Sequence, residues 1–185
     1  IFCRITAGVW LSRSSLVWGP FSIIWGMAIV AATILLHKDR EKPDRYLFMV
    51  GTFLGGAYEY LCSVFAELFF GKVFWDYSGI PFNLGGRINL LYCFFWGIAA
   101  VIWIKVLYPR ISDWIEKIPK LTGYIVTWCL ILFMAANMVV SAAALVRYDQ
   151  RAQGDTPDNA VEKLIDTRFD DARMEKIYPN AKSAR

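Results

Sequence analysis

The chain has 185 residues, of which 57% are apolar, 16% aromatic and 19% charged, with a formal net charge of +4. The apolar share exceeds the usual soluble value of roughly half and is gathered into blocks, and a soluble domain this small has no core that hides several unbroken apolar runs. The small positive charge is the ordinary basic flanking of membrane helices; without a concentrated basic patch it excludes nucleic acid as a partner.

The cysteines Cys3, Cys62, Cys93 and Cys129 stand far apart, three of them inside apolar blocks. They read as small apolar fillers, not as a disulfide framework or a zinc site. His37 is the only histidine, so no metal and no cofactor is expected. Aromatic side chains collect at block ends, among them Trp18, Trp75, Tyr77, Tyr108, Trp114 and Tyr148, where amphipathic rings prefer the lipid–water boundary. The predicted fold class is an all-α polytopic membrane helix bundle with four spanning helices, a short interfacial helix and an amphipathic C-terminal tail. The lipid bilayer is its first partner. The sequence opens at Ile1 without Met and without a signal-peptide pattern, which reads as a start inside a longer protein.

The first block runs from about Pro20 to Leu36, with Pro20 placed in the first helical turn, where its missing N–H costs nothing. A charged loop from Lys38 to Arg45 follows, and Pro43 forbids continuation of the helix. The second block, about Tyr46 to Phe70, carries Gly51, Gly55, Glu59, Ser63 and Glu67 at intervals of four. In a helix they form one slowly drifting stripe, small at one end and acidic at the other, which should face protein instead of lipid. Packing within the chain is the first reading of Gly51-x-x-x-Gly55; a homo-oligomer is the other. Met27, Met49, Met134 and Met138 read as membrane packing. Residues 71–86, GKVFWDYSGIPFNLGG, are broken by Gly79, Pro81, Gly85 and Gly86 into a surface or partly re-entrant loop.

The third block runs from about Arg87 to Tyr108 and is predicted to end at Pro109. In ISDWIEKIP, Ile111, Trp114, Ile115 and Ile118 share one helical face, which predicts a short interfacial helix. The fourth block runs from about Leu121 to Val146, with Asn137 its most polar interior residue. Residues 1–146 are thus read as the membrane domain and 147–185 as a hydrophilic helical tail with eight acidic and eight basic residues. Within the tail, GDTPDN predicts a helix start capped by Asp155 or Thr156, with Pro157 in the first turn. Val161, Leu164, Ile165, Phe169 and Met174 give an amphipathic spacing. Lys38, Arg40, Lys42 and Arg45 fall on one side with Arg110, Lys117 and Lys120 if every block spans once. The positive-inside rule then favours that side as cytoplasmic over the side with Arg4, Arg13, Lys72, Arg87, Arg147 and Arg151.

The charges nearest the membrane interior are Glu59, Glu67, Asp76 and Arg87. A lone charge at bilayer depth costs at least about 2.5–3.5 kcal/mol. Three arrangements satisfy such charges: a salt bridge fixing helices two and three, a wet cavity for a solute or ion, or an interfacial position where Arg87 and Glu67 snorkel to water. We expect Glu59, Arg87 and the Asp76–Asn83 loop to meet near one membrane face, with Glu59 as the partner of Arg87. The candidate polar cluster is Glu59, Glu67, Trp75, Asp76, Tyr77, Asn83 and Arg87. In the loop, Asp76 and Ser78 either set a turn by bonding backbone N–H groups or belong to a lid over a pocket. No GxxxxGKS/T phosphate loop, HExxH or GxSxG motif is present, so no catalytic residue is assigned and any ATP hydrolysis must come from a separate ATPase subunit.

The run Trp75-Asp76-Tyr77-Ser78, then Pro81-Phe82-Asn83-Leu84, Gly86-Arg87-Ile88 and Trp96-Gly97, resembles the signature of the ABC-transporter type IV, or CmpB-like, membrane family. Gly19-Pro20 with Trp25-Gly26 is similar to that family's earlier GPxxxxYG-type element, with Trp in place of Tyr. Asp170-Asp171, Arg173-Met174 and Ile177-Tyr178-Pro179-Asn180 resemble its C-terminal ending. The resemblance implies a bacterial multi-pass protein of the plasma membrane, one more helix before the first block, and a permease-type role. Two other functions fit the residues: a membrane-embedded enzyme or binder for a lipid-like phosphorylated substrate, with Arg87 as its anion contact, and a non-catalytic scaffold whose tail docks a partner.

Overall fold

The computed structural model describes residues 14–179 together with Lys182 and Ser183. Cys3, Arg4, Arg13 and Asn180 lie outside the described residues. The elements in order are α1 (Ile23–Leu36), a 3-10 turn (His37–Asp39), α2 (Asp44–Phe70), β1 (Lys72–Val73), β2 (Asn83–Leu84), β3 (Ile88–Asn89) and α3 (Leu90–Ile102). A π-helical turn (Trp103–Leu107), α4 (Tyr108–Glu116), α5 (Lys120–Ala152), α6 (Ala160–Arg168), α7 (Asp171–Ile177) and β4 (Lys182–Ser183) complete the chain.

Among the described residues, three helical stretches are long and apolar enough to cross a membrane: Asp44–Phe69, Leu90–Glu116 and Lys120–Ala152. The first apolar block forms a helix of 14 residues, which rises about 21 Å and falls short of a hydrocarbon core of about 30 Å. Pro20 is not in its first turn. Residues 14–22 are irregular instead, with Gly19 at φ 78° and the Ser15 N–H donating to the Phe21 carbonyl at 2.9 Å. Nor does Pro109 end the third block. The helix runs on from α3 through the π-helical turn into α4, where Pro109 sits in the first turn. The wider turn lets the Tyr108 N–H reach back to the Trp103 carbonyl, and the Arg110 guanidinium donates to the Val106 carbonyl at 2.8 Å. A side chain thus feeds the backbone where proline breaks the ladder.

The chain divides into two compact units. One comprises residues 24–123 with 180–185. Its centre is the packing of α2 on α3, and the glycine stripe is the contact. A Cβ on Gly51 would lie 2.5 Å from the Ala100 Cβ, and one on Gly55 would lie 2.2 Å from the Trp96 Cβ. Gly97 answers from α3, where a Cβ would sit 2.6 Å from the Phe48 carbonyl. The two backbones approach closely because Gly51 and Gly97 carry no side chain where they meet, and Gly55 leaves room for Trp96. Leu36, Leu47, Ala100 and Ile104 form the buried core beside it. β2 and β3 make a small antiparallel hairpin with Asn83 opposite Asn89 and Leu84 opposite Ile88. Gly85 and Gly86 take φ 60° and 70° in its turn, a left-handed pair that glycine accepts without strain. β1 pairs with β4, Lys72 opposite Ser183.

The other unit comprises residues 1–23 with 124–179. Asn137 and Ser141, on one face of α5, take up backbone groups of the irregular segment. The Trp18 N–H donates to Asn137 Oδ1 at 3.3 Å, Asn137 Nδ2 donates to the Trp18 carbonyl at 2.8 Å, and the Val17 N–H donates to Ser141 Oγ at 2.9 Å. α5 continues past Val146 to Ala152, and the tail folds back onto its end. Arg147, 5% exposed, pairs with Asp166 at 2.7 Å, and Arg151 pairs with the same carboxylate at 2.5 Å and with Asp171 at 2.8 Å. Phe169 and Met174 are buried in this unit, whereas Val161 and Leu164 are exposed. The expected cap is displaced: α6 begins at Ala160, and Asn159, not Asp155 or Thr156, accepts from the Glu162 N–H at 2.9 Å. Glu162 reaches back to accept from the Asp158 N–H, so a reciprocal cap forms at Asn159, three residues beyond Thr156.

Candidate functional site

Helix α2 carries Glu59 about 22 Å from its first residue, well inside the stretch long and apolar enough to cross a membrane. Glu59 is 8% exposed and lies on the stripe that faces α3. Its two oxygens are held separately. The Tyr77 hydroxyl donates to Oε1 at 2.7 Å, and the Trp96 indole N–H donates to Oε2 at 2.9 Å. Both donors are neutral, and Glu59 makes no ion pair among the described residues. Hydrogen bonds to a charged group contribute about 1.5–3 kcal/mol each, enough to offset much of the cost of a carboxylate at this depth.

Arg87 does not reach Glu59 as the sequence reading expected. Its guanidinium pairs with Glu67 and donates to Ser63 Oγ at 3.2 Å, and it lies 5.9 Å from the centre of the Tyr60 ring. Glu59 and Glu67 stand two turns apart on one stripe, and the turn that precedes Arg87 returns the chain beside the outer one. The Arg87 and Glu67 side chains are 27% and 36% exposed, so this pair sits toward the end of the helix, and Glu59 is left without a cationic partner among the described residues.

The loop between α2 and α3 is knitted to itself. The Asp76 carboxylate accepts from the Ser78 N–H at 2.8 Å, and a Cβ on Gly86 would meet that carboxylate at 2.6 Å. Asn83 Nδ2 donates to the Ile80 carbonyl at 2.7 Å while its Oδ1 accepts from the Gly86 N–H at 3.0 Å. The Trp75 indole donates to the Arg87 carbonyl at 3.0 Å. Trp75, Asp76 and Asn83 therefore build the loop, and of its residues it is Tyr77 whose side chain reaches the buried acid. Tyr77 stacks on Tyr92 with ring centres 4.7 Å apart. Asn89, 1% exposed, caps α3 by accepting from the Leu91 N–H and ties the loop down through the Pro81 carbonyl.

Sequence reasoning missed Trp96, which completes the Glu59 clasp and packs its ring against Trp25 with centres 4.6 Å apart. The signal was an indole N–H inside an apolar block and directly before Gly97, because a buried indole needs an acceptor. Ser63 stood on the stripe but was not assigned to Arg87.

No curated protein and no solved structure matches this chain. A family profile does, over residues 1–142, and its description is "Putative ABC-transporter type IV". The match covers the glycine stripe, the loop and the Glu59 clasp; the ending at 170–180 lies beyond it. With three apolar helices long enough to cross a bilayer and a family match over most of its length, the chain is a membrane protein that belongs to the ABC-transporter type IV family.

Proposed function

We propose that the chain is a permease-type component of a transporter in the bacterial plasma membrane, crossing it several times, with its solute-handling site between α2 and α3. The observation that carries this reading is Glu59, a carboxylate deep in an apolar helix, clasped by two neutral donors and without an ion-pair partner among the described residues. Such a group is expensive to keep in an apolar helix, and a carboxylate held only by neutral donors suits a cationic solute or a proton. α1 completes the unit as a shorter membrane-embedded helix, tied in by the Tyr58 hydroxyl on the Ile24 carbonyl at 2.7 Å and the Trp103 indole on Thr33 at 2.8 Å. The sequence holds no phosphate loop, so a separate polypeptide supplies the ATPase. The alternative reading, a phosphorylated lipid substrate held by Arg87, loses support because that guanidinium is already engaged by Glu67 and Ser63.

The test is flux in liposomes, with the purified chain alone and with the ATPase that co-purifies with it. Small cationic, neutral and anionic tracers are compared. Cation uptake that Glu59→Gln reduces at least tenfold, in protein of unchanged helical content, supports the reading. No flux of any tracer, or equal flux in Glu59→Gln, overturns it.

A further inference from the structure

At the other end of the α2–α3 pair, the His37–Arg45 segment and the stretch from Lys105 to Lys120 lie together. Lys105 Nζ donates to the Lys42 carbonyl at 2.9 Å and sits 3.7 Å from Asp44, and the His37 and Tyr108 rings meet edge to face at 5.2 Å. These two segments carry eight basic residues to five acidic ones. A groove of about 290 Å³, open on one side, runs from this end between the helices. Asp44 and Arg45 stand at its mouth, and Phe48, Ile98, Val101 and Ile102 line it. The spacing explains the lining: Arg45 and Phe48 share one face of α2, and Ile98, Val101 and Ile102 share one face of α3.

Depth decides what the groove fits. Arg45 is the second residue of a membrane-spanning stretch. The Tyr46 hydroxyl on Asp39 and the Tyr108 ring against His37 lie at this end, and such rings mark the headgroup zone. Phe48 lies one turn further in, and on α3 the lining runs inward from Ile102 to Ile98. Asp44 has Lys105 beside it, whereas Arg45 is exposed and makes no ion pair among the described residues. A cation at phosphate depth, above an apolar trough at acyl depth, matches a phospholipid in both parts.

We propose that this groove is a binding site for an anionic phospholipid, with its phosphate on Arg45 and an acyl chain laid along Phe48, Ile98, Val101 and Ile102. The site is separate from the Glu59 clasp and stands whether or not the chain transports anything. A basic residue near an anionic membrane surface contributes about 1 kcal/mol, a factor of about five in occupancy.

The experiment is native mass spectrometry of the full chain, released from nanodiscs of equal phosphatidylglycerol and phosphatidylcholine. The unaltered chain should retain phosphatidylglycerol over phosphatidylcholine. Arg45→Ala should lower that preference about fivefold, and Ile98→Trp, at a position already exposed, should expel both lipids by filling the trough. Arg110→Ala, at the same end but outside the lining, should retain the preference. Equal retention of the two lipids by the unaltered chain overturns the proposal. So does an Arg110→Ala effect as large as that of Arg45→Ala, because diffuse surface charge then accounts for the preference.

Discussion

Tyr77 and Trp96 grip opposite oxygens of one buried carboxylate, so each can be removed without touching the charge. Tyr77→Phe deletes a single donor and leaves the ring stack on Tyr92 in place. It should cost about 1–3 kcal/mol of stability, the usual penalty for a buried polar group that loses its partner. The midpoint of thermal unfolding in detergent reads this out. A second residue-scale prediction concerns which acid Arg87 serves. A double-mutant cycle between Arg87 and Glu67 should show a coupling of at most about 1 kcal/mol, since both side chains are partly exposed and water screens them. The same cycle between Arg87 and Glu59 should show none, and a coupling there as large as with Glu67 would contradict the pairing described above.

The crossing of α2 and α3 depends on what is missing from it. Gly55→Ala would bring a Cβ to 2.2 Å from that of Trp96, and Gly51→Ala to 2.5 Å from that of Ala100. Neither contact is the end of a flexible chain, so the helices must separate. Overpacking of this kind costs about 1–3 kcal/mol, and Gly55→Ala should also loosen the clasp by displacing Trp96. Gly26→Ala on α1 is the contrast, since nothing lies within 4 Å of that Cβ. It should leave stability unchanged or raise it by up to about 1 kcal/mol through helix propensity. Parallel thermal melts of the three variants separate steric crowding from any general intolerance of glycine replacement. At this scale the sequence was legible in part. The stripe at Gly51 and Gly55 named the packing face, because close approach leaves no room for a Cβ. The ends of α1 and α3 were not legible. Gly19 and the bonds to Asn137 and Ser141 hold residues 14–22 out of the helix, and a π-helical turn carries the chain through Pro109.

Across the chain, the tail is more than a hydrophilic extension. Asp166 is gripped by Arg147 and Arg151, and the hydrogen bond from Arg147 holds its carboxyl below the usual range. A carboxyl depressed in the docked state stabilises docking at every pH above its free value of about 3.9. That stabilisation is lost as pH falls through the docked-state value. Hydrogen–deuterium exchange over residues 160–177, corrected for intrinsic rates, should therefore stay protected and flat from pH 8 to about pH 5, then rise in acid. Asp166→Asn should show the acid-like exchange already at neutral pH. Loss of protection between pH 7 and pH 6 would instead point to a different titrating group. The Tyr178 hydroxyl, which donates to the Ser15 carbonyl at 3.0 Å, is pushed upward by burial and plays no part in that window.

Hydropathy, charge placement and one long motif were enough to identify a helical membrane protein of this family, because lipid forces every spanning backbone to satisfy itself and so writes its constraint into local composition. Gly51, Gly55 and the acids of the same stripe were readable for a related reason: their spacing alone puts them on one face. The pairing of those acids was not readable. Glu59 and Glu67 share that face, and only the return of the loop through Gly85 and Gly86 delivers Arg87 to Glu67 and leaves Glu59 to Tyr77 and Trp96. Likewise Asn137 was visible as a polar residue in an apolar block, but not as the anchor of a segment 119 residues away. Local pattern reports what a residue must avoid; its partner depends on where distant chain comes back, and that is decided in three dimensions.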